Sequence, residues 1–231
     1  MNVCIIPARG GSKRIPSKNI KPFHGKPIIA YSIQAALDSE CFDSVIVSTD
    51  NEDIADVAIE CGADVPFIRP KALADDYQGT DNVVRHAIQW CLNNDKRIER
   101  VCCLYATAPF VTPSMLQDGL ALLIDTKKDY CFAATAFDFP IQRALKVTEN
   151  GGIEPFDKES IEKRSQDLEL AYHDAGLFYW GRAEAYLKNK NFYSDATIPL
   201  FLPTYLVQDI DTLDDWKRAE LMYSLLLAGA Q

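Results

Sequence analysis

From Arg9 to Asn19 the chain reads Arg-Gly-Gly-Ser-Lys-Arg-Ile-Pro-Ser-Lys-Asn. The cations Arg9, Lys13, Arg14 and Lys18 crowd around Gly10, Gly11 and Ser12. Lysine and arginine neutralise oxyanions, and glycine lets backbone N–H groups approach them closely. Such a stretch suits a polyphosphate; read more plainly, it is a solvated turn. It holds neither G-x-x-x-x-G-K-S/T nor G-x-G-x-x-G, so neither a P-loop NTPase nor a Rossmann dehydrogenase is indicated. Near the other end stand Asp209 and Asp211, one residue apart. Two hard carboxylates on one side of a strand end suit Mg²⁺. An acidic helix N-terminus is the alternative, and it accounts for Asp214 and Asp215 better than for Asp209, which precedes the cap.

These residues need elements to hold them. Val3 to Ile6 is a short apolar run that reads as a buried strand, and the basic loop follows it directly. After Pro27, Ile29, Ile33, Ala36 and Leu37 recur at helical spacing. Ser44 to Thr49 reads as a second strand, with Asp50 and Asn51 able to cap a helix whose apolar face is Ile54, Val57, Ala58 and Cys61. Gly62 closes that helix. A polar loop over 69–81 leads to a helix capped near Thr80 or Asp81, with Val84, Ala87, Ile88 and Cys91 on its apolar face. Val101 to Tyr105 and Tyr130 to Phe137 read as strands, and Thr112-Pro113 starts a helix. Alternating strands and helices predict an α/β domain with a mostly parallel sheet, whose ligands collect at the carboxyl ends of the strands.

The alternation fails between residues 138 and 181. Phe139 to Ile141, Lys146-Val147 and Gly151 to Ile153 read as short strands and a hairpin, an insertion of the kind that becomes a lid, an arm or a dimer contact. Tyr205 to Gln208 reads as a strand running into Asp209-Ile210-Asp211. The last helix then starts at Thr212 with Asp215 completing a capping box, and it buries Trp216, Ala219, Tyr223 and Leu226 or Leu227.

The 231 residues are 48% hydrophobic, enough for one domain over 1–231. With 24 basic and 33 acidic residues the formal charge is −9, which argues against a general nucleic-acid or anionic-membrane partner. The 7 cysteines form no C-x-x-C pair, so a reduced cytoplasmic protein using them as small core residues is expected, without structural zinc. No signal peptide or membrane span is expected.

The order Ala-Arg-Gly-Gly-Ser-Lys at 8–13, then Lys18-Asn19, directly after the first strand, resembles the cytidylyltransferases that activate acidic sugars, the CMP-sialic acid synthetase group. The resemblance covers nearly the whole chain and is most specific at 7–19 and 205–216. It implies a Rossmann-like three-layer αβα nucleotidyltransferase fold in which 138–181 is a dimerisation arm. It implies that CTP lies against Arg9, Gly10, Gly11, Ser12, Lys13, Lys18, Asn19, Arg69 and Thr80. Arg69 as a surface charge and Thr80 as a plain cap are the alternatives. Asp209 and Asp211 would hold Mg²⁺, and Lys13, Arg9 and Asp211 would carry the catalysis.

Transfer of CMP to a nonulosonic acid would release pyrophosphate, and the product would serve bacterial surface or flagellin glycosylation. Where the family reads Gln-Pro-Thr-Ser-Pro-Leu-Arg, this chain keeps Thr107 and Pro109 but has Tyr105, Ala108 and Val111 for Gln, Ser and Arg. The Gln touches the sugar, so the change implies a different sugar. The run Tyr172-His173-Asp174-Ala175-Gly176, with Phe178-Tyr179-Trp180, resembles the branch that activates pseudaminic acid. Tyr105, Arg164, Tyr172, His173, Phe178, Tyr179, Phe192 and Tyr193 are then the sugar candidates, Arg164 for a carboxylate. Aromatics in such runs are more often core, and His173 reads equally as a structural residue. The alternatives are a CMP-N-acetylneuraminate synthetase, a transferase for another acidic sugar, and a non-catalytic nucleotide-binding protein. No general base stands out.

Overall fold

The computed structural model describes residues 1–74 and 79–229. Part of the polar loop, 75–78, lies outside them. The chain alternates first: β1 (Asn2–Pro7), a small hairpin of β2 (Pro22–Phe23) and β3 (Lys26–Pro27), α1 (Ile28–Asp38), β4 (Ser44–Ser48) and α2 (Glu52–Glu60). Then come α3 (Thr80–Asn93), β5 (Arg100–Leu104), α4 (Pro113–Thr126) and β6 (Tyr130–Ala136). A second hairpin, β7 (Leu145–Val147) with β8 (Ile153–Pro155), precedes β9 (Tyr172–Arg182), α5 (Ala183–Leu187), β10 (Thr197–Phe201) and α6 (Leu213–Gly229).

Local chemistry sets many of these ends. The Asn51 side chain accepts from the Ile54 N–H at 2.9 Å and caps α2. Gly62 follows with φ +94, a conformation L side chains rarely adopt. Thr112 caps α4 with Pro113 at its first position. At α6 the Asp215 carboxylate accepts from the Thr212 N–H at 2.8 Å while the Thr212 hydroxyl accepts from the Asp215 N–H at 3.2 Å, a reciprocal box.

The main sheet runs β10-β6-β9-β5-β1-β4. β1 is parallel to β4 and β5, and β10 to β6, while β9 runs antiparallel between β5 and β6. One face packs on α1, α2 and α4 through Ile29, Ile33, Ile54, Ala58 and Leu116. The other packs on α3 and α5 through Val84, Ile88, Ala183 and Tyr186. This is the three-layer α/β arrangement, with a mostly parallel sheet. A third, smaller core lies under the basic loop. Phe23 meets Tyr31, Trp216 and Tyr223 edge-on there, and Ile15 and Ile210 are buried with it.

Several local expectations are corrected. No strand leads into Asp209: Pro203 opens a single 3-10 turn over Thr204–Leu206, and the last strand ends at Phe201. Gly79, not Thr80 or Asp81, is the cap of α3. Pro140 likewise opens a 3-10 turn over Ile141–Arg143 where a strand was expected. Over 138–181 the hairpin β7–β8 lies apart from the main sheet, and β9 then returns to it.

Candidate functional site

Three parallel strands, β1, β4 and β5, end at one edge, and the loops after them meet there. They frame a cleft of about 330 Å³ lined by Arg9, Ser12, Lys13, Arg14, Lys18, Asn19, Arg69, Thr80, Tyr105, Thr107 and Asp211. Among the described lining residues the cations outnumber the one carboxylate, so the cleft suits an anion.

The loop is held by its own chemistry. Ile15 and Ile210 bury their side chains in the small core, so each apolar anchor sits among the charged residues it positions. The Lys18 ammonium donates to the Ile210 carbonyl at 2.6 Å and lies 3.3 Å from Asp211, and Arg14 reaches Asp211 at 2.8 Å. These contacts tie the basic loop to the acidic segment. Asn19 is 6% exposed and donates to the Arg9 carbonyl at 2.9 Å, which fixes the loop's return.

Gly10 and Gly11 stand in the loop beside the cleft and are not among its lining residues. The Gly10 N–H donates to Asp50 at 2.9 Å. A Cβ at Gly10 would stand 2.9 Å from the Asn51 Cβ, so glycine is needed for close approach to the α2 cap. Asp50 therefore does not cap α2 as the sequence suggested. It holds the loop and faces the buried Arg69 guanidinium at 3.8 Å. Arg69 is 4% exposed, and burial lowers its pKa while the Asp50 charge opposes that. Its Nε has no hydrogen-bond partner among the described residues, and the residue lines the cleft.

Asp209 and Asp211 stand close enough to interact. Desolvation first, then the Asp211 charge, push the Asp209 carboxyl above its ordinary value. A divalent cation would relieve that repulsion, so the pair fits Mg²⁺. No group of three or more His, Cys, Asp or Glu placed for a metal is found among the described residues.

A second cleft of about 160 Å³ adjoins the first and shares Thr80 and Tyr105 with it. Tyr179, Phe192 and Tyr193 join Tyr105 in its wall, with Asp81, Asp174, Cys103 and Tyr186. The Tyr179 hydroxyl lies 2.9 Å from both Asp174 oxygens, and its ring packs against Tyr105 with centroids 5.3 Å apart. Burial first, then Tyr105 and Asp174, push the Tyr179 phenol far up, and burial raises Tyr105 as well. Both phenols stay protonated donors.

The other sugar candidates lie elsewhere. Phe178 is 0% exposed and packs in the core on the α4 side, because neighbours along a strand point to opposite faces. Arg164 forms a fork with Asp167 at 2.7 and 3.1 Å and lines neither cleft. Tyr172 packs on Phe201 and His173 on Phe137, at the outer start of β9. Sequence reasoning missed the roles of Asp50, Asp81 and Asp174. A lone carboxylate near a turn reads as a cap or a surface charge until its long-range partner is known.

The arrangement has counterparts among known proteins. A model of the cytidylyltransferase family matches residues 3–220. A pseudaminic acid cytidylyltransferase of Campylobacter jejuni subsp. jejuni serotype O:2 is 46% identical, over 97% of this chain and 97% of that protein. A CMP-N,N'-diacetyllegionaminic acid synthase of Legionella pneumophila is 34% identical over 96% of each. A solved structure of CMP:2-keto-3-deoxy-manno-octonic acid synthetase complexed with CTP has a TM-score of 0.69 at 16% identity, covers 97% of this chain and 98% of that one, and shares the fold. On the family match along nearly its whole length, the chain belongs to the cytidylyltransferases.

Proposed function

We propose that the protein transfers CMP from CTP to pseudaminic acid, a nonulosonic acid, and releases pyrophosphate. One observation carries the reading: a cationic cleft and an aromatic one meet at Thr80 and Tyr105, so a nucleotide triphosphate in the first faces a sugar in the second. The choice of sugar rests on the higher identity to the pseudaminic acid enzyme, 46% against 34%, and on the departures at Tyr105 and 172–180.

In this reading the anomeric hydroxyl of the sugar attacks the α-phosphorus as the bond to pyrophosphate breaks opposite it. Lys13 and Arg9 neutralise the phosphates, Lys13 most directly as charge builds in the transition state. Arg69 adds a buried cation whose position Asp50 holds. Tyr105 and Thr80 orient the two substrates at their junction. Asp209 and Asp211 would hold Mg²⁺, which when bound polarises the α-phosphoryl oxygen and lowers the pKa of the attacking hydroxyl. Catalysis is positioning and electrostatics.

We further propose a cytoplasmic homodimer. The free thiols fit a reducing compartment. No helix among the described residues is long and apolar enough to cross a membrane. Val147 and Ile153 face each other across β7–β8 at 74% and 70% exposure, with Phe139, Phe156 and Leu170 also exposed. Isolated apolar surface of this extent favours a second copy over water.

Incubation with CTP, Mg²⁺ and either pseudaminic acid or N-acetylneuraminic acid, following pyrophosphate, tests the reaction. Release with pseudaminic acid alone is expected. Release with N-acetylneuraminic acid alone keeps the chemistry and overturns the sugar. No release with these or other acidic sugars leaves a non-catalytic nucleotide-binding protein.

A further inference from the structure

The second cleft carries charge that the transfer reaction does not use. Asp81, from the first turn of α3, and Asp174, from β9, both line it, and among the described residues that line it there is no Lys, Arg or His. The two clefts therefore meet with opposite polarity, cationic on the loop side and acidic on the aromatic side.

Asp174 is built into place. β9 shifts register against β6 between Phe132 and Ala134, and Gly176 stands there at φ +64. This bulge turns the Gly176 N–H onto the Asp174 carboxylate at 2.8 Å, and the Tyr179 hydroxyl donates to the same carboxylate at 2.9 Å. A carboxylate offers about four lone-pair sites, so acceptor capacity remains. The field of both acids is felt across the cleft: after burial, Asp174 and then Asp81 push the Tyr193 phenol up.

We infer that Asp174, assisted by Asp81, is a specificity-determining residue that accepts a hydrogen bond from a donor group, such as an acylamino N–H, at the end of the sugar remote from its own carboxylate. The inference rests on the transfer reaction proposed above. The two acids repel the sugar's carboxylate from the aromatic cleft and leave it toward Arg9, Lys13 and Arg14. Like charge excludes one orientation and the donor–acceptor bond selects the other. Tyr105 links the two halves, since it lines both clefts and its ring packs on Tyr179.

Asp174→Asn tests this, because the amide oxygen still accepts from Gly176 and Tyr179 while the charge and one acceptor are lost. The substrates are CTP, the acidic sugar that the unaltered protein turns over, and its congener with hydroxyl in place of the acylamino group. The expected result is a sugar KM raised on the order of 10- to 100-fold, an unmoved CTP KM, and a collapse of the preference for the acylamino sugar. Unchanged sugar KM and preference overturn the inference and leave Asp174 as a brace for the bulge. Equal rises in both KM values overturn it too. If circular dichroism finds Asp174→Asn misfolded, Asp81→Asn, outside the bulge, carries the test: a raised sugar KM alone supports the inference, and an unmoved one overturns it. Failure of the unaltered protein to turn over any acidic sugar overturns the transfer reaction itself, and the inference with it.

Discussion

At the scale of single residues, the site depends on which group each side chain faces. Lys13 lines the cationic cleft together with Arg9, Arg14, Lys18 and Arg69. Lys13→Ala is expected to lower kcat by about two to three powers of ten, the effect of removing one preorganised electrostatic stabiliser. Steady-state turnover near the unaltered value would remove Lys13 from the mechanism. Asp211 faces Arg14 and Lys18 and raises the Asp209 pKa, so its charge is central to the acidic segment. Asp211→Asn is expected to shift the Mg²⁺ titration of pyrophosphate release to higher metal concentration. An unchanged titration would sink the metal assignment. Lys13 and Asp211 were legible in the sequence because their types and neighbours are distinctive. Asp50 was not, since its partners Gly10 and Arg69 lie far off in the chain.

At the scale of elements, the cap of α6 couples stability to the site. The Asp215 carboxylate accepts from the N–H groups of both Thr212 and Asp211. Desolvation acts to raise its pKa, but these hydrogen bonds prevail and hold it below the ordinary value. A carboxylate lowered on folding stabilises above its unfolded pKa, and that contribution disappears as pH falls through the lowered one. Asp215→Ala should therefore cost about 1 kcal/mol near neutral pH, a drop in Tm of roughly 2–4 °C for a domain of this size. The two Tm values should converge in acid. A constant gap across the pH series would assign the loss to packing instead. The capping motif was readable because it spans one helical turn. The strand expected before Asp209 was not formed, because Pro203 fixes the backbone and removes a ladder donor.

At the scale of the whole molecule, the exposed apolar face of β7–β8 is the surface assigned to the proposed homodimer. Val147→Asp with Ile153→Asp places charge on both members of one cross-strand pair. Sedimentation velocity is expected to give a dimer for the unaltered protein and a monomer for the double variant, with the same circular dichroism. A monomeric unaltered protein at micromolar concentration would overturn the homodimer. Arg164, Tyr172 and His173 lie outside both clefts of a single chain, so a sugar role for them would need a route other than this subunit's own lining.

By itself the sequence determined the alternation of strands and helices up to β6, the caps Thr112 and Thr212–Asp215, and the cationic loop after β1, while at α2 it left Asp50 and Asn51 both open as caps. Each of these depends on residues within a turn or two of one another, where periodicity and side-chain type suffice. Only the tertiary structure decided that β9 enters antiparallel between β5 and β6, and that its bulge at Gly176 aims Asp174 and Tyr179 into a second cleft. It also turned Phe178 into the core and the Gly10 N–H toward Asp50. The physical reason is separation: Gly10 and Asp50 are 40 positions apart, and Lys18 and Asp211 are 193. Such contacts follow from which strands become neighbours, which no local pattern specifies.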